Sequence, residues 1–153
     1  MPANDQMRPL PEPGDFLRTA INIVDALIAV HDSGSTCIGL TPAHIFTDHV
    51  TGTIQIRSER PGFNGVEPEY ISASPYSAPE LSRLSDHRPD LRSDLYSLGA
   101  ILYELLTGAP PFNSSDPREL IHAHIAKPAI PPHSNNPAIP LQLSDLIMKL
   151  IRK

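Results

Sequence analysis

Apolar residues recur along this chain in two rhythms. From residue 14 onward, Phe16, Leu17, Ala20, Ile21, Val24, Leu27, Ile28 and His31 return at steps of three and four, the spacing that lines one side of an α-helix. Asp15 stands near its start and Ser33-Gly34 supply a stop. Two short segments, His44–Thr47 and Thr53–Arg57, place Ile45, Ile54 and Ile56 around the turn Asp48–Gly52 and predict a β-hairpin. Residues 58–77 hold Gly, Pro and Ser without periodicity and read as a long loop, functional or disordered. The densest pattern is Arg92–Thr107, where Leu95, Leu98, Ile101, Leu102, Leu105 and Leu106 cover much of a helix circumference. That helix is expected at the centre of the core. Gly108 ends it and Pro110-Pro111 block its continuation. Asp116 as cap, Pro117 at the first helical position and Glu119 in a capping box open another helix. A proline-bracketed connector over 128–140 leads to a last helix from Leu141 or Ser144 to the end. Leu146, Ile147, Leu150 and Ile151 share one of its faces. The fold class is mainly α with a small β-hairpin: a loose lead-in over 1–13, then one unit over 14–153.

Composition sharpens this picture. Eighteen of 153 residues are proline, against a usual share of about 5%. None falls between Gly14 and Thr41, or between Asp90 and Ala109. Both gaps are helix-length and apolar, so the prolines punctuate a folded chain instead of disordering it. A domain of this size buries roughly 70% of the surface its unfolded chain exposes, enough for a real core. Twelve basic residues face seventeen acidic ones, with a net charge of −5, and no basic cluster suggests a nucleic-acid surface. Cys37 is the lone cysteine, so no internal disulfide forms, which fits a reducing compartment. The first residues lack the order of a secretory signal and no apolar run is long enough to span a bilayer. The expected location is cytoplasmic, with no membrane or nucleic-acid partner.

One series of motifs is more specific. Ala78-Pro79-Glu80 closes the long loop, Arg92-Ser93-Asp94-Leu95-Tyr96-Ser97-Leu98-Gly99 follows, and Glu104-Leu105-Leu106-Thr107-Gly108 with Pro111-Phe112 comes next. In this order and spacing they resemble the C-terminal lobe of a protein kinase of the serine/threonine type. The stretches His124-Ile125-Ala126-Lys127 and Leu143–Leu150 are similar to the kinase-like front module of large bacterial sensor histidine kinase proteins. The resemblance covers residues 14–153 and implies a C-lobe lacking its N-lobe, shortened before its last helix. It also implies an architectural role for Asp94, whose counterpart in the family hydrogen-bonds the backbone of the catalytic loop. Glu80 normally pairs with an Arg beyond the last helix, so here it needs another partner.

The chemical positions implied by the resemblance are altered. Kinases use an Asp to orient and deprotonate the acceptor hydroxyl, and an Asn and a second Asp to hold magnesium on ATP. The corresponding loop reads Cys37-Ile38-Gly39-Leu40-Thr41-Pro42-Ala43-His44-Ile45, which puts Gly39 at the base and His44 at the Asn. Ser58, with Glu59 beside it, stands at the metal-binding Asp, and Ala73 at the Thr that bonds the base. A glycine offers no acceptor, and an imidazole is a poor ligand for a hard cation. His31-Asp32 as an alternative pair lacks the following Asn, and Asp48 is better explained as a turn former. No catalytic, metal or cofactor-binding residue is therefore assigned.

Blander readings cover the rest. His122 and His124 point in different directions on a helix, and His44 with His49 lack a third zinc ligand. Cys37 reads as a small buried apolar residue. Serines and Tyr70 in the loop are ordinary loop residues before they are phosphorylation targets, and Pro131-Pro132 and Pro137–Pro140 are spacers before they are ligands of a proline-binding domain. The expectation is a degenerate kinase-like module that presents residues 58–77 and the groove beside Arg118–Lys127 to a signalling protein. A sensor histidine kinase and a separate N-lobe chain are the candidate partners. The alternatives are a piece of an active serine/threonine kinase and a gene product without function. Apolar surface is expected to stand open at Ile45, Phe46, Ile54 and Ile56.

Overall fold

The computed structural model describes residues 13–48, 50–57, 73–82 and 89–153. Helix α1 runs Pro13–Asp32, the strands β1 and β2 are Ile45–Thr47 and Ile54–Ile56, and helices α2 (Leu91–Thr107), α3 (Pro117–Ala126), α4 (Pro132–Asn135) and α5 (Leu141–Leu150) follow. Single 3-10 turns lie at Pro42–His44 and Pro79–Leu81. The lead-in over 1–12 and most of the loop 58–77 fall outside the described residues.

The buried stripe of α1 is Phe16, Ala20, Ile23 and Leu27, residues spaced to share one helix face. Each larger member contributes about 1.5–3 kcal/mol by leaving water. This stripe packs with α2 and with the hairpin, whose strands pair antiparallel as Ile45 with Ile56, Phe46 with Gln55 and Thr47 with Ile54. Ile45, Ile54 and Ile56 lie against the main core, so the apolar surface expected there is largely covered. Phe46 alone of the four stands open, with the Arg57 guanidinium 5.0 Å from its ring centre. The hairpin turn rests on Asp48, whose Oδ1 accepts from Val50 N–H at 2.8 Å, and on Gly52 at φ +71°. His44 belongs to the 3-10 turn instead of the strand because Pro42 fixes the backbone there.

Helix α2 is the centre of the molecule. Asp90 caps it, its side chain accepting from Arg92 N–H at 2.8 Å. Gly108, at φ +85°, ends it by donating its N–H to Glu104 O. The expected apolar face is only partly right. Leu95 and Leu105 are exposed, while Ser93, Asp94 and Ser97 are fully buried. Helix α5 crosses α2 at Gly99, where a Cβ would come within 2.6 Å of Leu150 Cβ and 2.9 Å of Ile151 Cγ2. No larger residue permits that approach without displacing α5.

Three further details depart from the sequence reading. Glu119 does not close the α3 capping box: its carboxylate accepts from Ser114 OH at 2.7 Å, and Ser114 Oγ accepts from Asp116 N–H at 3.1 Å. The connector contains the helix α4, held by Asn135 donating to Tyr103 OH and by Tyr103 OH donating to Ile130 O. On α5, Ile147 is buried with Ser144, as is Ile151 just past its end, whereas Leu146 is exposed.

Candidate functional site

The loop between α1 and the hairpin is built around one carboxylate. Gly34, at φ +76°, closes α1 by donating to His31 O at 2.9 Å. The chain then buries Cys37 and Leu40 and turns at Ile38-Gly39, with Gly39 at φ +83°. Asp94, with no exposed surface, receives this loop from α2: its Oδ2 accepts from Cys37 N–H at 2.7 Å and lies 2.9 Å from His31 Nε2. Asp94 Oδ1 has no hydrogen-bond partner among the described residues. One carboxylate oxygen thus ties together the end of α1, the loop and the start of α2. Burial, followed by the charge of Asp94, pushes the Cys37 thiol up to about 11, so it stays protonated and unreactive at neutral pH.

Downstream, the loop folds onto its own histidine. Thr41 N–H donates to His44 Nδ1 at 3.1 Å, and Thr41 Oγ1 lies 3.2 Å from the same nitrogen. A nitrogen that accepts cannot carry the proton, so the neutral ring bears it on Nε2. Gly39 has open space where a side chain would be, and it brings no donor or acceptor beyond its backbone.

The segment 73–82 forms a second cluster. Glu80 Oε1 accepts from Ser93 OH at 2.6 Å, so the serine on the first turn of α2 is a partner of this carboxylate. Tyr76 OH donates to Glu104 Oε2 at 2.5 Å, and burial with that neighbouring carboxylate holds the phenol well above its usual range. His124 of α3 is buried between Tyr96 and Phe112, edge-on to both rings. Its Nε2 donates to Ser74 O and its Nδ1 accepts from Tyr96 OH, both at 2.9 Å. Burial is the main cause that pushes this imidazole down to about 4, with the Lys153 ammonium adding to it. Ala73 packs against the cluster of Phe112, Leu120 and Ala123. Pro79, Glu80 and Leu95 border an open recess of about 480 Å³ together with Arg92, Lys149 and Arg152.

The structure therefore brings Asp94 to the loop 37–44, and Ala78, Pro79 and Glu80 to the first turns of α2. It places Ala73 beside α3, and Ser58 with Glu59 and His49 lies outside the described residues. Three participants went unassigned from sequence: His31 as a partner of Asp94, Ser93 as the partner of Glu80, and the Tyr96–His124 pair. His31 alone left a signal, a polar residue at the last turn of an otherwise apolar stripe. Among the described residues no three His, Cys, Asp or Glu side chains converge as a metal site, and no helix is long and apolar enough to cross a membrane.

Residues 20–153 match the protein kinase domain. The chain is 43% identical over 83 residues to "Probable serine/threonine-protein kinase CPE1738" of Clostridium perfringens, covering 54% of this chain and 12% of that protein. It is 31% identical over 152 residues to "Histidine protein kinase 1" of Candida albicans, covering 91% of this chain and 6% of the relative. Over 78 residues it is 47% identical to "Hybrid signal transduction histidine kinase G" of Dictyostelium discoideum, covering 51% and 2%. The chain thus spans a small fraction of each of these relatives.

Proposed function

Because the chain belongs to the protein kinase domain family, we propose that it is a degenerate member, one that acts as an interaction or regulatory module in signalling and transfers no phosphate. The observation that carries this reading is the loop 37–44, whose backbone is held by buried Asp94 while Gly39 brings no side chain and His44 folds back onto Thr41. Phosphoryl transfer needs a carboxylate against the acceptor hydroxyl and oxygen ligands that hold magnesium on the phosphates. Gly39 has no side chain to act as base. His44 has Nδ1 engaged by Thr41 and its proton on Nε2, so the neutral ring offers no free lone pair to a cation that in any case prefers oxygen. These residues do not fit magnesium-bound ATP.

What the fold preserves is presentation. Asp94 fixes the loop, and Glu80 and His124 fix the segment 73–82 against α2 and α3. A signalling protein is the proposed partner, with a sensor histidine kinase the first candidate, since two of the relatives are named as histidine kinases. The cytoplasm is the proposed location. The reading as part of an active serine/threonine kinase draws on the identity to the clostridial relative. Calorimetry and thermal shift of the whole chain with ATP, with and without magnesium, separate the two. The expected outcome is no magnesium-dependent stabilisation and no transfer of labelled phosphate. A magnesium-dependent stabilisation, with transfer abolished by replacing Ser58 or Glu59, overturns the proposal.

A further inference from the structure

Helix α1 carries a second apolar stripe that touches the core only through Val24. Leu17, Ile21 and Ile28 are 47%, 58% and 48% exposed, and Val24 between them is half-buried. Their spacing of four, three and four places all four within about 60° of arc, roughly a quarter-turn from the core stripe. It is also the spacing of a two-helix seam. Beside it stand Arg18 and Asp25, both exposed and neither in an ion pair among the described residues.

We propose that this stripe is a self-association surface, on which α1 of a second copy of the chain packs antiparallel. The pattern is self-complementary about a two-fold axis. With Leu17 opposite Ile28 of the second copy, Ile21 falls opposite Val24, and the reciprocal pairs follow by symmetry. In that register Arg18 lies about 3 Å along the axis from Asp25 of the other copy, on the same side of the seam and within reach of a guanidinium. Two reciprocal ion pairs then flank the apolar contact. A parallel pairing puts the charges of the two copies on opposite sides of the seam and leaves them unpaired. Sequence complementarity therefore selects both the occupant and its direction. The seam covers about 16 Å of helix, short of a standard interface, so the dimer is weak, with dissociation on the order of 100 µM.

Sedimentation of the whole chain from about 10 µM to 1 mM tests this directly. The expected result is concentration-dependent dimerisation that Arg18→Glu or Asp25→Lys alone weakens ~tenfold. Mixing the two variants recovers it, because a heterodimer of the two has opposite charges at both positions. Circular dichroism and melting of each variant serve as the folding control, and both positions are exposed. A monomer over the whole range overturns the proposal, as does a dimer indifferent to both substitutions. Failure of the mixture to recover association from two folded variants also overturns it.

Discussion

The two halves of α2 are held by different physics. From Ser93 to Ser97 the helix buries polar groups: Ser93 donates to Glu80, Asp94 receives Cys37 and His31, and Ser97 is buried with its hydroxyl unpaired among the described residues. From Leu98 to Leu106 it buries Leu98, Ile101, Leu102 and Leu106 against the main core. Apolar burial is non-directional and scales with area. A buried hydrogen bond is directional, and leaving it unmade costs more than making it gains. The second half therefore supplies stability to the whole molecule, whereas the first half decides where particular loops lie.

Two substitutions, one in each half, separate these contributions most clearly. Ile101→Ala should lower unfolding free energy by about 3–4 kcal/mol, spread over the whole structure. Asp94→Ala should cost about 2–3 kcal/mol, because Cys37 N–H is left buried without an acceptor. Its distinguishing effect is local. Native-state hydrogen exchange at residues 36–40 should accelerate beyond the global change in Asp94→Ala, and should follow the global change in Ile101→Ala. Equal exchange patterns in the two variants would remove the distinction between the halves.

The same division explains what the sequence could tell. Ile101, Leu102 and Leu106 were readable because apolar periodicity is a local signal. The caps Asp90 and Asp116 are local signals of the same kind. The buried polar groups depend on partners far along the chain: Cys37 is 57 residues from Asp94 and His124 is 50 from Ser74. Periodicity consequently assigned Leu95 to the core and gave no reason to bury Ser93 or Ser97. Motif order pointed to Asp94 and Glu80, but only the fold supplied His31 and Ser93 as their partners.

A smaller effect tests whether the polar half extends its hold through Tyr96. His124 accepts from Tyr96 as a neutral ring, and its folded pKa of about 4 lies below the ordinary 6.5. Between those values the unfolded chain binds more protons than the folded one. Its contribution is therefore complete above pH 6.5 and is lost progressively as pH falls towards 4, on the order of 2–3 kcal/mol. Urea titrations of the parent and His124→Phe across this window should converge as the pH falls. A gap that stays constant would mean that the ring does not titrate with folding.

The smallest change concerns Gly39, at the loop that Asp94 anchors. A side chain there meets open space, but the backbone is left-handed at φ +83°. Gly39→Asp should therefore cost about 1 kcal/mol through backbone strain alone, since aspartate tolerates this region better than most residues. If the first half of α2 fixes the loop independently of its chemistry, Cys37 N–H should keep its exchange protection in this variant. Phosphate transfer should stay absent, because His44 remains folded onto Thr41 and supplies no oxygen ligand. Transfer appearing in Gly39→Asp would mean that one carboxylate was all the loop lacked, and the proposed inactivity would rest on that single residue.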